Sequence, residues 1–120
     1  MTTRLDPTCT DPDKYVPIFE NDWVRVLDYR DAPGQQTRPH QHPNSVMITL
    51  SDFHRRLSSG GKTAEVEMTA GRAMWLAAQV HSGPNIGDTD THVIFVELKA
   101  ANSHDAAAAG EGNLGPTLAS

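Results

Sequence analysis

Cysteine is almost missing from this chain: Cys9 is the only one in 120 residues. That excludes a disulfide framework and a thiolate metal cluster, and it leaves Cys9 as an inert thiol. Long apolar runs are missing as well. Nothing approaches a bilayer-spanning length, and the opening Met1-Thr2-Thr3-Arg4-Leu5-Asp6 has no apolar stretch of the secretory kind. The expectation is a soluble, cytoplasmic protein without a membrane partner. Basic charge is scarce: ten Lys and Arg against fifteen Asp and Glu give a net charge of −5. A phosphate-tracking surface needs a basic stripe, so no nucleic-acid partner is expected. Amphipathic helical periodicity is also lacking.

Short β-forming segments separated by turn signals are present instead. Residues 15–19, 23–29, 45–50, 53–58, 63–68, 72–78, 80–86 and 92–99 read as strands, and Ser59-Gly60-Gly61-Lys62 as a hairpin turn. Many short strands at near-regular spacing predict an all-β sandwich or barrel. The length is that of one domain. Residues 1–14, polar and containing Pro7 and Pro12, read as an N-terminal arm, residues 15–100 as the β domain, and residues 101–120 as a C-terminal tail. In the tail, Gly110, Gly112, Gly115 and Pro116 discourage any helix beyond one turn at Ala106–Ala109.

The segment His40-Gln41-His42 carries the chemistry. On a strand, residues i and i+2 share a face, so both imidazoles address one space. Pro39 and Pro43 argue against a helix and for a short extended segment. With His81 these residues predict a mononuclear metal site of His40, His42 and His81. Imidazole suits Fe, Ni, Cu and Zn better than Mg or Ca. Three protein ligands leave open positions, as in catalytic rather than structural sites.

The spacing Gly34, five residues, His40, one residue, His42 resembles the first half of the first motif of the cupin family. Gly71 followed by His81, three residues and Asn85 resembles its second motif. The resemblance runs from about residue 15 to residue 99. It implies a double-stranded β-helix, a jelly-roll relative, usually homodimeric, with a metal in the barrel mouth. The glutamate slot of the first motif is held here by Met47. That departure resembles the three-histidine branch of non-haem iron cupins, which includes β-diketone-cleaving and thiol dioxygenases. The resemblance therefore implies an oxidoreductase: an Fe(II) dioxygenase acting with O₂ on a small chelating molecule, a diketone, keto or hydroxy acid, or thiol. Zn, Ni, Mn or Cu are alternative metals. A non-redox Zn or Ni isomerase, cyclase or lyase, and a non-catalytic ligand-binding cupin, are alternative functions.

Strand parity and position place further residues at the pocket. Arg38 shares parity with His40 and His42, Met47 and Thr49 share the parity of the missing glutamate, and Asn85 shares that of His81. Trp75 is placed at the cavity wall, and Phe95 or Val96, depending on strand phase, at the far wall, although Trp75, like Trp23, reads more readily as core. No catalytic acid or base is assigned. Glu97 is expected to face solvent, and an inward orientation would favour proton-transfer chemistry. Arg55-Arg56 reads as a solvated strand edge, and His54, His92 and His104 as ordinary residues.

Overall fold

The computed structural model describes residues 5–99. Its elements are α1 (Pro7–Thr10), β1 (Tyr15–Glu20), β2 (Val24–Asp31), β3 (Gln36–His42), β4 (Ser45–Thr49), β5 (Phe53–Ser59), β6 (Lys62–Met68), β7 (Ala73–Leu76), β8 (Gln79–Pro84) and β9 (Thr91–Leu98). The strands form two antiparallel sheets, ordered β1-β2-β9-β4-β7 and β3-β8-β5-β6. Among the described residues no helix is long and apolar enough to cross a membrane.

Period-two alternation builds the interior. Thr91, Val93, Phe95 and Glu97 of β9 point inward, as do Ser45, Met47 and Thr49 of β4. Leu27, Tyr29, Phe53 and Leu76 join Val93 and Phe95 in the apolar core between the sheets. The β5–β6 hairpin turns at Gly60 and Gly61, both at positive φ, as a tight two-residue hairpin requires.

Two local features set the site. On β3 the register against β8 slips between Thr37 and His40, so three steps along β3 match two along β8. Pro39, which has no N–H for the ladder, lies in this bulge. β5 and β8 share the ladder pair Ser58↔Ser82, and Arg55 of β5 makes an isolated bridge to Asn85 just beyond β8. Gly83 lies between these contacts, where a Cβ would stand 1.8 Å from the Arg56 carbonyl oxygen. Only glycine lets the strands approach this closely.

The arm is ordered where it is described. Asp6 caps α1 by accepting from the Thr8 N–H at 2.8 Å. The Leu5 carbonyl accepts from the Gln41 N–H at 2.7 Å, and the Asp11 carboxylate accepts from the Arg38 N–H at 3.1 Å. The arm therefore lies along β3, on both sides of the first histidine. The expected tail, 101–120, lies outside the described residues.

Candidate metal centre

His40 and His42 project inward from β3, and His81 from β8 directly opposite His40 in register. Their ring centroids are 4.8 to 5.0 Å apart, and one ligand atom from each lies within 4.8 Å of the others. His40 and His42 are two residues apart on an extended strand. The bulge comes just before them, so it rotates the strand without breaking the pair.

Each ring is addressed from behind. His40 Nδ1–H donates to the Arg38 carbonyl at 2.7 Å. His81 Nδ1–H donates to Gln79 Oε1 at 2.6 Å, and Gln79 Nε2 donates to the Ala77 carbonyl, which fixes the amide's orientation. His42 Nδ1 faces Glu97 Oε2 at 3.6 Å. Acceptors behind Nδ1 leave the Nε2 lone pairs for a shared centre, the outer support that metal-binding histidines use. Burial pulls the His40 imidazolium down to about 3, with His42 adding a smaller push in the same direction. Burial likewise holds His81 well below the usual histidine range. Both rings are thus neutral, which is the ligand form.

Among the described residues, two buried polar atoms at the site lack a hydrogen-bond partner: His42 Nδ1 and Glu97 Oε2. A cation on Nε2 of His42 would polarise the ring toward that carboxylate. The residues present therefore fit a divalent transition metal.

The orientation of Glu97 corrects the expectation of a solvated charge. It follows Phe95 on the inward face of β9 and is only 3% exposed. Arg25 Nε donates to Glu97 Oε1 at 2.8 Å, and Arg25 Nη2 reaches Asp6 at 3.0 Å. Sequence reasoning also missed Tyr15. Its hydroxyl lies 3.1 Å from His40 Nε2 and 3.3 Å from His42 Nε2, and burial raises its pKa well above that of a free phenol. No motif marks it; the one hint was its place at the start of the first strand.

A cavity of about 50 Å³ lies between the sheets, reached by Tyr15, His40 and His81. Met47 and Phe95 line it as well. Thr49 is buried but does not line it, because its hydroxyl donates to the Thr69 carbonyl and accepts from the Arg72 N–H. Asn85 is also buried away from the cavity, donating to Asp31 and the Thr89 carbonyl and accepting from the Gly87 N–H.

Further expectations need correction. Arg38 is exposed and lines an outer groove with Asp11 and Lys14, because the bulge breaks the parity that tied it to His40. Trp75 is 40% exposed, since Met74 and Leu76 take the inward positions of β7, and Trp23, at 75%, sits in the turn before β2. Arg55 is no edge charge: it is buried against Asp31, with Nη1 2.8 and 2.9 Å from the two carboxylate oxygens. Thr91 and the Gly83 carbonyl accept from the same guanidinium, the Tyr29 hydroxyl donates to Asp31, and Arg55 lies over the Tyr29 ring. Arg56 is exposed, near Glu65.

Neither a family model nor a curated protein matches the sequence. Solved structures do. A cupin domain from Bordetella pertussis Tohama I superposes with a TM-score of 0.65 at 23% identity, over 72% of this chain and 95% of that one. A double-stranded β-helix protein from Klebsiella pneumoniae gives 0.57 at 17% identity, over 74% and 80%. A conserved cupin barrel protein from Salinispora arenicola gives 0.53 at 21% identity, over 79% and 81%. With two antiparallel sheets closed around three inward histidines, the chain has the cupin fold, a double-stranded β-helix.

Proposed function

We propose that the protein is a mononuclear metal-dependent enzyme, a three-histidine Fe(II) dioxygenase acting with O₂ on a small chelating organic molecule. The observation that carries this reading is the arrangement of His40, His42 and His81, with each Nδ1 facing a protein acceptor and Nε2 left for a common centre. Zn, Ni, Mn and Cu would fit the same nitrogens. Fe(II), when bound, supplies the unpaired electrons that let a spin-paired substrate react with O₂.

The residues shape the rest. Neutral histidines leave the charge of a divalent ion undiminished, which favours an anionic substrate: an enolate, carboxylate or thiolate. Arg55 lines the cavity, but Asp31 neutralises it, so it offers no free charge to such an anion. The cavity is small, about 50 Å³. Its walls, among them Met47, Leu57, Val66 and Phe95, are largely apolar and keep water from the site. This size favours small thiols and keto or hydroxy acids over larger diketones.

A Lewis-acid isomerase, cyclase or lyase would need a base at the cavity. Glu97 points inward, yet it stands behind His42, and no carboxylate is among the cavity-lining residues described. The oxygenase reading therefore stands first. The exposed Val16, Ile18 and Phe19 on edge strand β1 support a homodimer.

The test is oxygen uptake by the Fe(II)-loaded protein against a panel of thiols, keto and hydroxy acids and diketones, with His81→Ala as control. Uptake that needs both substrate and His81 is expected. No uptake from protein that holds stoichiometric iron would overturn the oxygenase reading in favour of Lewis-acid chemistry or ligand binding.

A further inference from the structure

We propose that Tyr15 is a fourth protein donor of the metal centre, its phenolic oxygen taking a coordination position beside His40 and His42. The proposal rests on the three-histidine reading above. Donors held at about 2.1 Å from one ion stand roughly 3.0 Å apart at right angles and about 3.4 Å apart at the tetrahedral angle. The Tyr15 hydroxyl oxygen lies 3.1 and 3.3 Å from the two Nε2 atoms. These hydrogen-bond distances are also the separations of neighbouring donors on one ion.

Hydrogen bonding leads to the same assignment. Among the described residues, the two Nε2 atoms are the only hydrogen-bond partners of this hydroxyl. An ion that takes their lone pairs removes both partners at once. The residue is 3% exposed to bulk solvent. A buried polar group left unpaired is disfavoured, and binding the ion through oxygen resolves it. On loading, the Tyr15 O–H bond breaks, an oxygen–metal bond forms, and the proton passes to the buffer; no electron is transferred. Four protein donors leave two positions on a six-coordinate ion. Tyr15 also supplies an anionic oxygen, which is missing where Met47 stands in the glutamate slot, and a divalent ion so held keeps one positive charge toward an anionic substrate.

Cupric ion is the probe, because it binds nitrogen sites most tightly in the first-row series and phenolate bound to it absorbs in the visible. The chain has only two tyrosines, Tyr15 and Tyr29, and the Tyr29 hydroxyl is directed to Asp31. One equivalent of copper(II) chloride added to the full chain should give a visible charge-transfer band. That band should be kept in Tyr29→Phe and lost in Tyr15→Phe, while Tyr15→Phe still retains copper after desalting. Resonance Raman of the wild type and of Tyr29→Phe, excited in the band, should show phenolate ring modes, so the assignment stands even if Tyr15→Phe fails to fold. One retained copper with no band, or a band that survives in Tyr15→Phe, overturns the proposal and leaves the three-histidine reading intact. Failure of the wild type to retain copper overturns both.

Discussion

Glu97 Oε2 stands 3.6 Å from His42 Nδ1 inside the barrel, and neither atom has another partner among the described residues. The other Glu97 oxygen is held by Arg25, so the carboxylate cannot turn away. Such an outer carboxylate orients its ring and strengthens the far nitrogen as a donor. Glu97→Gln keeps the Arg25 acceptor but loses the charge. It should weaken metal affinity by about 10–100-fold, read by calorimetric titration. Unchanged affinity would mean that the contact contributes nothing to the site.

His40→Ala and His81→Ala should each abolish stoichiometric metal while leaving the far-ultraviolet circular dichroism of the barrel in place. The histidines sit on strands whose pairing uses backbone groups, so loss of a ring removes a ligand and not a ladder bond. Elemental analysis after desalting checks this. One retained ion per chain in either variant would refute the site.

Asp31 and Arg55 form a buried ion pair at the cavity. Removing one partner of such a pair leaves an uncompensated charge, a loss of about 3–5 kcal/mol. Asp31→Asn should lower stability by that amount in urea unfolding. A loss below about 1 kcal/mol would mean that water reaches the guanidinium and solvates it.

The metal-free protein should weaken in acid. Folded His40 titrates at about 3 and His81 well below the ordinary value, whereas unfolded imidazoles titrate near ~6.5. Below that pH the unfolded chain binds protons that the folded chain refuses. Stability is therefore full above pH ~6.5 and falls as pH drops toward the folded values, by up to about 1.4 kcal/mol per pH unit for each ring. Thermal midpoints measured across this window test it; a flat profile would place the rings in contact with solvent.

If the proposed homodimer pairs through edge strand β1, Ile18→Lys should convert it to a monomer in sedimentation without loss of fold, because Ile18 is 56% exposed. An unchanged sedimentation coefficient would show that β1 is not the contact.

The histidine pair was legible because strand parity is local: two residues apart means one face. Parity failed at Arg38 because one inserted residue beside Pro39 reverses it, and a bulge leaves only that proline as a trace. Arg55 alternates with Phe53 and Leu57, so its inward direction was readable. Its charge argued the other way until Asp31 was found opposite, a partner 24 residues earlier on another strand. The roles of Tyr15 and Glu97 depend on which strands become neighbours, and no local pattern encodes that.

The contacts Asp6–Arg25, Arg25–Glu97 and Glu97–His42 join α1, β2, β9 and β3 at one imidazole. Arg25 and Glu97 are 72 residues apart. During synthesis, His40 and His42 leave the ribosome long before the carboxylate that steadies His42. Contacts this distant in sequence form late. The pairing of β9 with β2 is therefore what brings the carboxylate up behind His42.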